Sequence, residues 1–464
     1  MKKNSIYKFI LVPAVLLSLQ SCFVAKEYSR PEVVEAEYFR TDLIPQDSLT
    51  LADVSWRDLF TDPILVGHIE EGLQNNLDIR VALQQIEAAE AYMKQGKAGY
   101  FPSLNLGASG ATQNPSENGQ LGGVGTVSQF DLSANLSWEA DIWGKIRSSD
   151  RATQARYLQS VAGHQAVKTE LIATIASLYY QLLALDEQLR ITEQTIKNRE
   201  TSLETTRALK DAGTLTEVGV KQTEAQLYRA QAVMVDLENN IRLLENAFSI
   251  VLGHAPHQIE RGSLEEQEIK TELKVGVPAL LLRNRPDVIA AEYNLMNAFQ
   301  LTNVAKSSFY PSLRLTASTG LQSLEFEDWF SANSIFASII GNLAQPIFNQ
   351  RQIRTQYEVA QAQEEIALLD FRRSLLVASR EVSDALYNYE AAVERMEIKL
   401  NEFEAYDLAT TYSEELLNNG MANYLEVLTA RENALNSQLE LINTELDRFI
   451  AIIDLYQALG GGWQ

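Results

Sequence analysis

Cysteine and histidine are scarce in this chain of 464 residues, which has 1 cysteine and 4 histidines. A disulfide framework and a structural zinc site are therefore excluded, since both need several such residues. No apolar run reaches about 18 residues, so the sequence predicts no helix that spans a membrane. Basic residues are outnumbered by acidic ones, 39 to 61, and the net charge of −22 argues against nucleic acid as a partner.

The single cysteine lies at the end of an export signal. Lys2 and Lys3 form a short basic start, and an apolar stretch follows from Phe9 to Leu19. This pattern is typical of a secretory signal peptide. Because Cys22 follows directly, the sequence predicts cleavage before it and acylation of its amine and thiol, which anchors the mature chain to lipid. An ordinary thiol near a cleavage site is the alternative interpretation.

Proline is missing from two long parts of the chain. None occurs between Pro115 and Pro256, and none after Pro346. Since proline inside a helix costs about 3 kcal/mol, each part predicts a very long helix, a tight turn and a shorter helix. The turns are expected at Gly213 and Gly420. Long arms of roughly 100 Å need a coiled-coil or tubular setting to bury an apolar stripe.

An internal repeat contains both parts. Residues 97–106 match 306–315 at an offset of 209, and residues 75–79 match 284–288 at the same offset. Each half therefore shares one plan of helix, strand pair, long helix, turn and shorter helix. Repeats that cannot close a core alone must stack on neighbours.

Four stretches alternate between apolar and polar residues, as half-buried strands do. The predicted strands are residues 101–112, 128–139, 310–322 and 335–346. Ile340 breaks the alternation of the fourth, and the loops around 110–127 and 322–334 are interpreted as polar and rich in Gly, Ser and Asn. Strands of about 10 residues with one apolar face fit a membrane barrel. The aromatic residues expected at strand ends are Tyr100, Phe101, Trp138, Trp143, Phe309, Tyr310 and Phe348.

Four strands are too few to close a barrel, and lipid does not tolerate an open sheet edge. Several chains must therefore contribute, two chains giving eight strands and three giving twelve. A small soluble sheet on a helical body is the alternative, but its neighbours are helices too long for a globular core.

Five passages carry a resemblance to a known family. They are Tyr28–Pro31, Trp56–Pro63, Leu282–Val288, Gly420–Leu425 and Leu455–Trp463. Together they resemble the TolC-type outer-membrane efflux proteins, in the lipoprotein (NodT-type) subgroup that serves resistance–nodulation–division tripartite pumps. The resemblance covers residues 22–464, and Asn284 is a departure from the family pattern.

The resemblance implies a mixed fold of α-helices and membrane β-strands. A homotrimer would form a twelve-stranded outer-membrane β-barrel, with four strands per chain, continued by a long α-helical coiled-coil tunnel in the periplasm. The implied segments are a signal peptide at 1–21, a lipid-anchored N-terminal segment at 22–64, a first efflux repeat at 65–255 and a second at 256–464. The implied partners are a periplasmic adaptor protein, an inner-membrane pump and outer-membrane lipid.

The expected function is a passive export duct for drugs or other small toxic compounds across the periplasm and outer membrane. Two alternatives stay open: a type I protein-secretion duct of the same fold, and a structural coiled-coil lipoprotein of the periplasm. The alternating strands argue against the second.

The resemblance also implies a gate. In relatives a leucine ring, with an aspartate ring one helical turn later, closes the periplasmic end of the tunnel. Leu425 matches the leucine, whereas Thr429 replaces the aspartate, so the adjacent Glu426 is the candidate for the missing charge. A place in a coiled-coil core is the alternative for Leu425. Gly213 and Gly420 mark the hairpin tips expected to contact the adaptor.

No catalytic pattern is present in the sequence. The histidines His68, His164, His254 and His257 are interpreted as unrelated, with no carboxylate beside the last two. Neither a Gly-rich phosphate loop nor a nucleophile elbow occurs. We therefore expect no catalysis, no cofactor and no metal site.

Overall fold

The computed structural model describes residues 25–31, 51–116, 118, 125–269 and 284–463. The predicted signal peptide and the proposed lipid-bearing Cys22 lie outside the described residues. None of the described helices is long and apolar enough to cross a membrane.

Eight α-helices and four β-strands are assigned within the described residues. The helices are α1 (Trp56–Leu59), α2 (Pro63–Asn75), α3 (Leu77–Ala98), α4 (Lys145–Asp211), α5 (Glu217–Val251), α6 (Pro286–Ser307), α7 (Gln352–Asn418) and α8 (Tyr424–Ala458). The strands are β1 (Ser103–Gln113), β2 (Val127–Ala140), β3 (Ser312–Ser323) and β4 (Ile335–Ala344).

Local sequence signals account for the helix boundaries. Pro63 opens α2 at a position where its missing N–H costs nothing, and the Asp62 side chain accepts a hydrogen bond from the Ile64 N–H. Pro286 opens α6 in the same manner, and Asp287 in its first turn favours the helix dipole. The long helices α4 and α7, of 67 residues each, occupy the parts of the chain that lack proline.

The chain divides into two compact units. One comprises Met1–Glu32, Ile86–Ser160 and Ala291–Phe371, and it contains the sheet. The other comprises Val33–Gln85, Val161–Ala290 and Arg372–Gln464, and it contains the turns at the two glycines.

The sheet has four antiparallel strands in the order β1-β2-β3-β4. Its register places Leu104 opposite Leu136, Leu136 opposite Ala317, and Ala317 opposite Ile339. One face is therefore apolar across all four strands. The strands at the two edges, β1 and β4, each pair with only one neighbour among the described residues.

The opposite face of the sheet is polar in its centre. A row of Asn105, Asn135, Ser318 and Ser338 crosses all four strands. β4 departs most from this pattern, because Phe336 lies opposite Gly320 and Ile340 lies opposite Thr316 on the polar face.

Aromatic side chains gather where the strands meet the helices, as predicted. Trp143 stacks on Tyr310 with ring centroids 5.0 Å apart, and its indole N–H donates to the Pro311 carbonyl at 2.7 Å. Trp138 donates to the Tyr100 carbonyl at 3.0 Å. The interpretation of the 322–334 loop as polar is wrong, because this loop carries Phe326, Trp329 and Phe330, and the rings of Phe326 and Trp329 lie within 5.6 Å of Phe130 on β2.

The internal repeat is visible as a repeated backbone contact. Gly253 follows α5 with a φ of +85°, and a Cβ there would lie 2.5 Å from the Asn75 carbonyl oxygen. Gly460 follows α8 with a φ of +86°, and a Cβ there would lie 2.5 Å from the Asn284 carbonyl oxygen. Both positions need glycine, because an L-residue would be strained and would also clash with backbone.

The core of the second unit is built from large aromatic residues. Tyr180 on α4 stacks on Phe449 on α8, with centroids 4.5 Å apart and planes at 4°. The Tyr456 hydroxyl donates to the Val54 carbonyl at 2.8 Å, and Trp56 is 1% exposed. The N-terminal residues from 51 onward are therefore part of this core.

Candidate functional site

The two helix pairs end in the same type of turn. At the first, the Gly213 N–H donates to the Lys210 carbonyl and the Thr214 N–H to the Leu209 carbonyl, both at 2.9 Å. At the second, Gly420 and Met421 repeat this pattern, and both glycines have positive φ angles of +77° and +71°. Their predicted role as turns is thus explained by the hydrogen bonds of a Schellman motif, which needs the left-handed conformation.

The three predicted gate residues lie at the start of α8. Asn423 caps this helix, since its side-chain oxygen accepts from the Glu426 N–H at 3.1 Å and its amide donates to the Glu426 carboxylate at 2.9 Å. Leu425 is 55% exposed, and Thr429 is exposed one turn further on. Leu425 and Thr429 therefore share an exposed face, while the neighbouring Val427 is buried.

An ion-pair network near this turn was not found by sequence reasoning. Arg199 on α4 is only 6% exposed, and it donates to the Glu432 carboxylate on α8 at 2.8 Å and to the Gln226 carbonyl on α5. Arg229 on α5 contacts the second oxygen of Glu432, also at 2.8 Å. One carboxylate on α8 thus holds two helices of the first pair.

An arginine on α8 makes a second connection between the two helix pairs. Arg431 pairs with Glu414 on α7 at 2.7 Å and donates to the Ser202 hydroxyl on α4. The network therefore contains contacts within the second helix pair and between the two pairs. No sequence pattern signals these contacts, because Arg199 and Glu432 are 233 residues apart.

A cavity lies between the two pairs beside this network. It measures about 640 Å³, and its lining includes Leu209, Leu215, Leu417, Tyr424 and Arg431. The Tyr424 hydroxyl accepts a hydrogen bond from Thr223 at 3.1 Å. The helix pairs are thus joined here by a few polar contacts around open space, an arrangement that can separate without unpacking a dense apolar core.

At the ends of α5 and α8 that are remote from the turns, each half has a side chain that donates a hydrogen bond to a carbonyl of the last helical turn, but the two side chains differ. Asn76 donates to the Val251 carbonyl at 2.8 Å in the first half, and Arg285 donates to the Ala458 carbonyl at 2.9 Å in the second. Arg285 also pairs with Asp287 at 2.6 Å and with Glu381 at 2.7 Å. Burial lowers the pKa of Arg285, but the carboxylates of Asp287 and Glu381 raise it by more, so the pKa lies above its ordinary value.

The interpretation of the histidines as unrelated is wrong for two of them. The His254 ring contacts a Glu71 carboxylate oxygen at 2.9 Å, and His68 lies 3.7 Å from the other oxygen. They meet because the close approach of Gly253 to Asn75 brings the end of α2 beside the loop after α5. Among the described residues, no group of His, Cys, Asp or Glu has a geometry that could hold a metal ion.

A comparison with protein families gives one match over most of the chain. The family described as outer membrane efflux protein matches residues 68–254 and 277–461. The two matched segments correspond to the two halves of the internal repeat.

Several characterised proteins are similar over nearly their whole length. The solvent efflux pump outer membrane protein SrpC of Pseudomonas putida is 29% identical, with 98% of this chain and 99% of the relative covered. The probable outer membrane lipoprotein SilC of Salmonella typhimurium is 28% identical, with 97% and 98% covered.

Solved structures give the same result. The outer-membrane channel OprN superposes with a TM-score of 0.88 at 24% identity, covering 95% of this chain and all of the other. The open state of the Neisseria gonorrhoeae MtrE outer membrane channel has a TM-score of 0.85 at 25% identity, with 96% and 99% covered.

Proposed function

We propose, because this chain belongs to the outer membrane efflux protein family, that it is one of three identical subunits of an export duct. The duct would run from the periplasm through the outer membrane. The observation that carries this proposal is the apolar face that crosses all four strands of the sheet, whose edge strands each pair with only one neighbour in the described part of the chain.

Family membership confirms several predictions made from the sequence. The resemblance to outer-membrane efflux proteins is confirmed, as is the fold class of helices and membrane strands in two repeats. The chain is an outer-membrane component of an efflux system, and its role is transport and not catalysis. We propose, in addition, the number of subunits, the lipid anchor, the gate and the partner proteins.

The edges of the sheet support the three-fold assembly. Unpaired backbone groups cost several kcal/mol each in hydrocarbon, so β1 and β4 both need a strand partner. In an antiparallel sheet of four strands β1 and β4 run in opposite directions, so β4 of one copy can pair with β1 of the next and keep the whole ring antiparallel. Three copies give twelve strands, with the polar face turned toward the lumen.

Exposed apolar residues on α5 support assembly of the helical part. Tyr228, Val235, Leu243 and Ile250 are each between 58% and 65% exposed in the single chain. Their spacing of seven or eight residues places them along one stripe of the helix, as in a coiled coil. We expect neighbouring copies to cover this stripe.

The gate of the proposed duct lies at the start of α8. Three copies of the exposed Leu425 would form a ring that excludes water from a narrow neck, and Thr429 and Glu426 would lie beside it. The contacts of Glu432 with Arg199 and Arg229 would hold the tips together. Opening would be an outward movement of the tips that breaks these contacts, while the barrel stays rigid.

The residues that follow Cys22 support a lipid anchor beside the sheet. Arg30 forms a two-bond ion pair with Glu292 on α6, at 2.6 Å and 2.5 Å, and Lys26 exchanges two backbone hydrogen bonds with the Asn303 side chain. Residues 25–31 are thus fixed on the unit that contains the sheet. Cys22→Ser should abolish labelling by radioactive palmitate, and labelling that persists would contradict the anchor.

The proposed cargo is drugs or other small toxic compounds. Relatives are named for the efflux of solvent and toluene in Pseudomonas putida and of cations in Escherichia coli. An adaptor at the tips near Gly213 and Gly420 would connect the duct to an inner-membrane resistance–nodulation–division pump that supplies the energy.

Conductance in planar bilayers tests the duct and its gate. We expect Leu425→Ala to raise the single-channel conductance, because it widens the apolar ring. Val218→Ala is the matched control, since Val218 lies five residues after Gly213, as Leu425 lies five residues after Gly420, and it is 65% exposed. Equal conductance of Leu425→Ala and the wild type would contradict the gate, and an increase for Val218→Ala would move it to the first helix pair.

A second experiment tests which face of the sheet contacts lipid. Leu132→Arg places a charge on the apolar face and should cost about 2–4 kcal/mol near the middle of the membrane, seen as loss of assembled protein. Ser133→Arg is on the polar face and should be tolerated. Equal losses would mean that neither face contacts lipid.

A further inference from the structure

Charged side chains are rare on the polar face of the sheet. Within the four described strands this face carries Asp131 and Glu139 on β2 and Arg314 on β3. Asp131 lies toward the end of the sheet that is remote from the helices. Glu139 and Arg314 lie directly opposite each other at the end where the strands meet the helices. Arg314 is therefore the one cationic strand residue of this face in the described part of the chain.

The Glu139 carboxylate contacts two cations at once. Lys145, the first residue of α4, donates to one of its oxygens at 2.9 Å. The guanidinium of Arg314 lies 3.4 Å from the other oxygen. Because a single carboxylate neutralises only one of these cations, one positive charge per chain is left at this place. The shorter distance makes Lys145 the principal partner of Glu139 and leaves the excess charge on Arg314.

The carboxylate of Asp141, two residues after Glu139, has a different role. It accepts hydrogen bonds from the backbone N–H groups of Ile146 at 2.8 Å and Arg147 at 3.1 Å. These groups belong to the start of α4, where the positive end of the helix dipole stabilises a carboxylate. The charge of Asp141 is therefore offset by the helix and does not neutralise Arg314.

The surroundings of Arg314 leave its charge open to solutes. Its side chain is 56% exposed, whereas that of Glu139 is 21% exposed. Its neighbour across the next strand pair is Asn342 on β4, which is neutral. A guanidinium has five N–H donors, and the contact with Glu139 is made through one nitrogen. The side chain can therefore bind a further anion without releasing Glu139.

In the proposed duct this face of the sheet lines the lumen. Twelve strands that are about 4.8 Å apart and tilted by about 40° enclose a barrel with a backbone radius of about 12 Å. The Arg314 side chain extends inward from this wall, and the Debye length is about 10 Å at 0.1 M salt. A solute on the axis therefore passes within one Debye length of three copies of the cation.

We propose that three copies of Arg314 form a cationic ring at the helix end of the barrel lumen, and that this ring favours the passage of solutes that carry a carboxylate or another anionic group. The inference rests on the proposed three-fold duct. Rings of arginine or lysine select anions in pores, and the planar guanidinium matches the two oxygens of a carboxylate. The net charge of −22 does not decide the preference at this place, because charges beyond a Debye length are screened.

A purely structural ion pair is the rival explanation for Arg314. Opposite charges that face each other across two strands stabilise a sheet. Glu139, however, already has Lys145 at a shorter distance, so its neutralisation does not need Arg314. The two explanations differ in what they predict: a structural pair affects the amount of assembled protein, whereas a ring changes the ion preference of assembled channels.

Reversal potentials of the full-length protein in planar phosphatidylcholine bilayers test the ring. A KCl gradient between about 0.01 M and 0.1 M keeps the Debye length between about 30 Å and 10 Å. We expect Arg314→Gln to raise the permeability ratio of K⁺ to Cl⁻ at least about twofold, because it removes three charges from the lumen. Glu139→Gln should lower the ratio, because it leaves two unpaired cations in each chain. Arg314→Lys should stay near the wild-type ratio, since it retains the charge.

Arg190→Gln is the matched control. Arg190 is 55% exposed and pairs with Glu187 on α4, outside the sheet, so its loss should leave the ratio unchanged. An equal rise for Arg190→Gln would overturn the ring, because the net charge of the chain would then set the ratio. Conducting channels whose ratio is unchanged by Arg314→Gln would overturn the ring and leave the duct standing. If Arg314→Gln does not assemble, an unchanged ratio for Glu139→Gln overturns the ring instead. Wild-type protein that forms no channels would overturn the duct and the ring together.

Potassium benzoate in place of KCl extends the test to an organic carboxylate. We expect Arg314→Gln to raise the permeability ratio of K⁺ to benzoate in the same direction as with chloride, because the ring acts on the negative charge. A ratio that responds to Arg314→Gln with chloride but not with benzoate would overturn the preference for solutes that carry a carboxylate.

Discussion

The two helix pairs have equal lengths but differ in the side chains that hold them. Each has a long helix of 67 residues and a short helix of 35. Their turns and their terminal glycines coincide, since both need backbone conformations that only glycine adopts easily. The difference lies in polar contacts: the second half of the repeat has Arg285, Asn423 and Glu432 where the first half has Asn76, Thr216 and Ala225.

The shared backbone geometry builds the fold, whereas the side chains that differ are expected to govern opening of the duct. Backbone geometry is the same in both halves, so each half can take its place in a common tube. The Asn423 cap and the contact of Glu432 with Arg199 lie near the turn of the second pair, where the proposed gate residues also lie. The second pair is therefore expected to govern opening, and the first to serve as scaffold.

The largest effect is expected at the glycines that approach backbone. Gly460→Ala and Gly253→Ala add a Cβ 2.5 Å from a carbonyl oxygen, so a backbone shift is unavoidable and assembled protein should be lost. Gly420→Ala and Gly213→Ala meet nothing within 4 Å and should cost only about 1–2 kcal/mol, the penalty of the left-handed conformation. Thermal unfolding followed by circular dichroism compares the two pairs of variants. Equal losses in the two pairs would refute the importance of the close approach.

Arg285 is expected to contribute more than Asn76. Arg285→Ala removes the ion pairs with Asp287 and Glu381 and the hydrogen bond to the Ala458 carbonyl, with an expected cost of about 2–3 kcal/mol. Asn76→Ala removes a cap and should cost about 1–2 kcal/mol. Denaturant unfolding of both variants gives the comparison, and a larger loss for Asn76→Ala would reverse it.

The Glu432 contacts should affect opening more than folding. Glu432→Gln removes the charge that pairs with the buried Arg199, at an expected cost of about 1–3 kcal/mol. Bilayer conductance should rise and susceptibility to large antibiotics should increase. Glu224→Gln on α5 is the control, since its carboxylate pairs only with Lys221 and Arg207 of the first pair in the described structure. An equal rise for the control would remove the distinction between the pairs.

The smallest effect is expected at the caps of the short helices. Asn423→Ala should cost about 1 kcal/mol, because its side chain caps α8. Thr216→Ala should cost less, since the Thr216 side chain makes no capping hydrogen bond at the start of α5. Thermal unfolding of the two variants side by side measures the difference, and a greater loss for Thr216→Ala would contradict it.

Features with local causes could be predicted from the sequence. The first long helix, Lys145–Asp211, lies in a part of the chain without proline and ends just before the turn predicted at Gly213. The apolar face of the sheet followed from alternation, and the deviation noted at Ile340 persists in the register of β4.

Contacts between distant residues could not be predicted in this way. Arg199 and Glu432 lie on helices with many other charged residues, so nothing in the sequence selects this pair. His254 meets Glu71 only because Gly253 approaches Asn75, 178 positions earlier. The packing of Phe326 and Trp329 against Phe130 was missed because acidic and serine residues made the loop between β3 and β4 resemble a polar one.

Native mass spectrometry of the full-length protein, extracted from outer membranes in mild detergent, tests the central claim most directly. If β4 of each copy pairs with β1 of the next to close a twelve-stranded barrel, the dominant species should have the mass of three chains. A dominant species of one or two chains, in protein that still conducts in bilayers, would contradict the account.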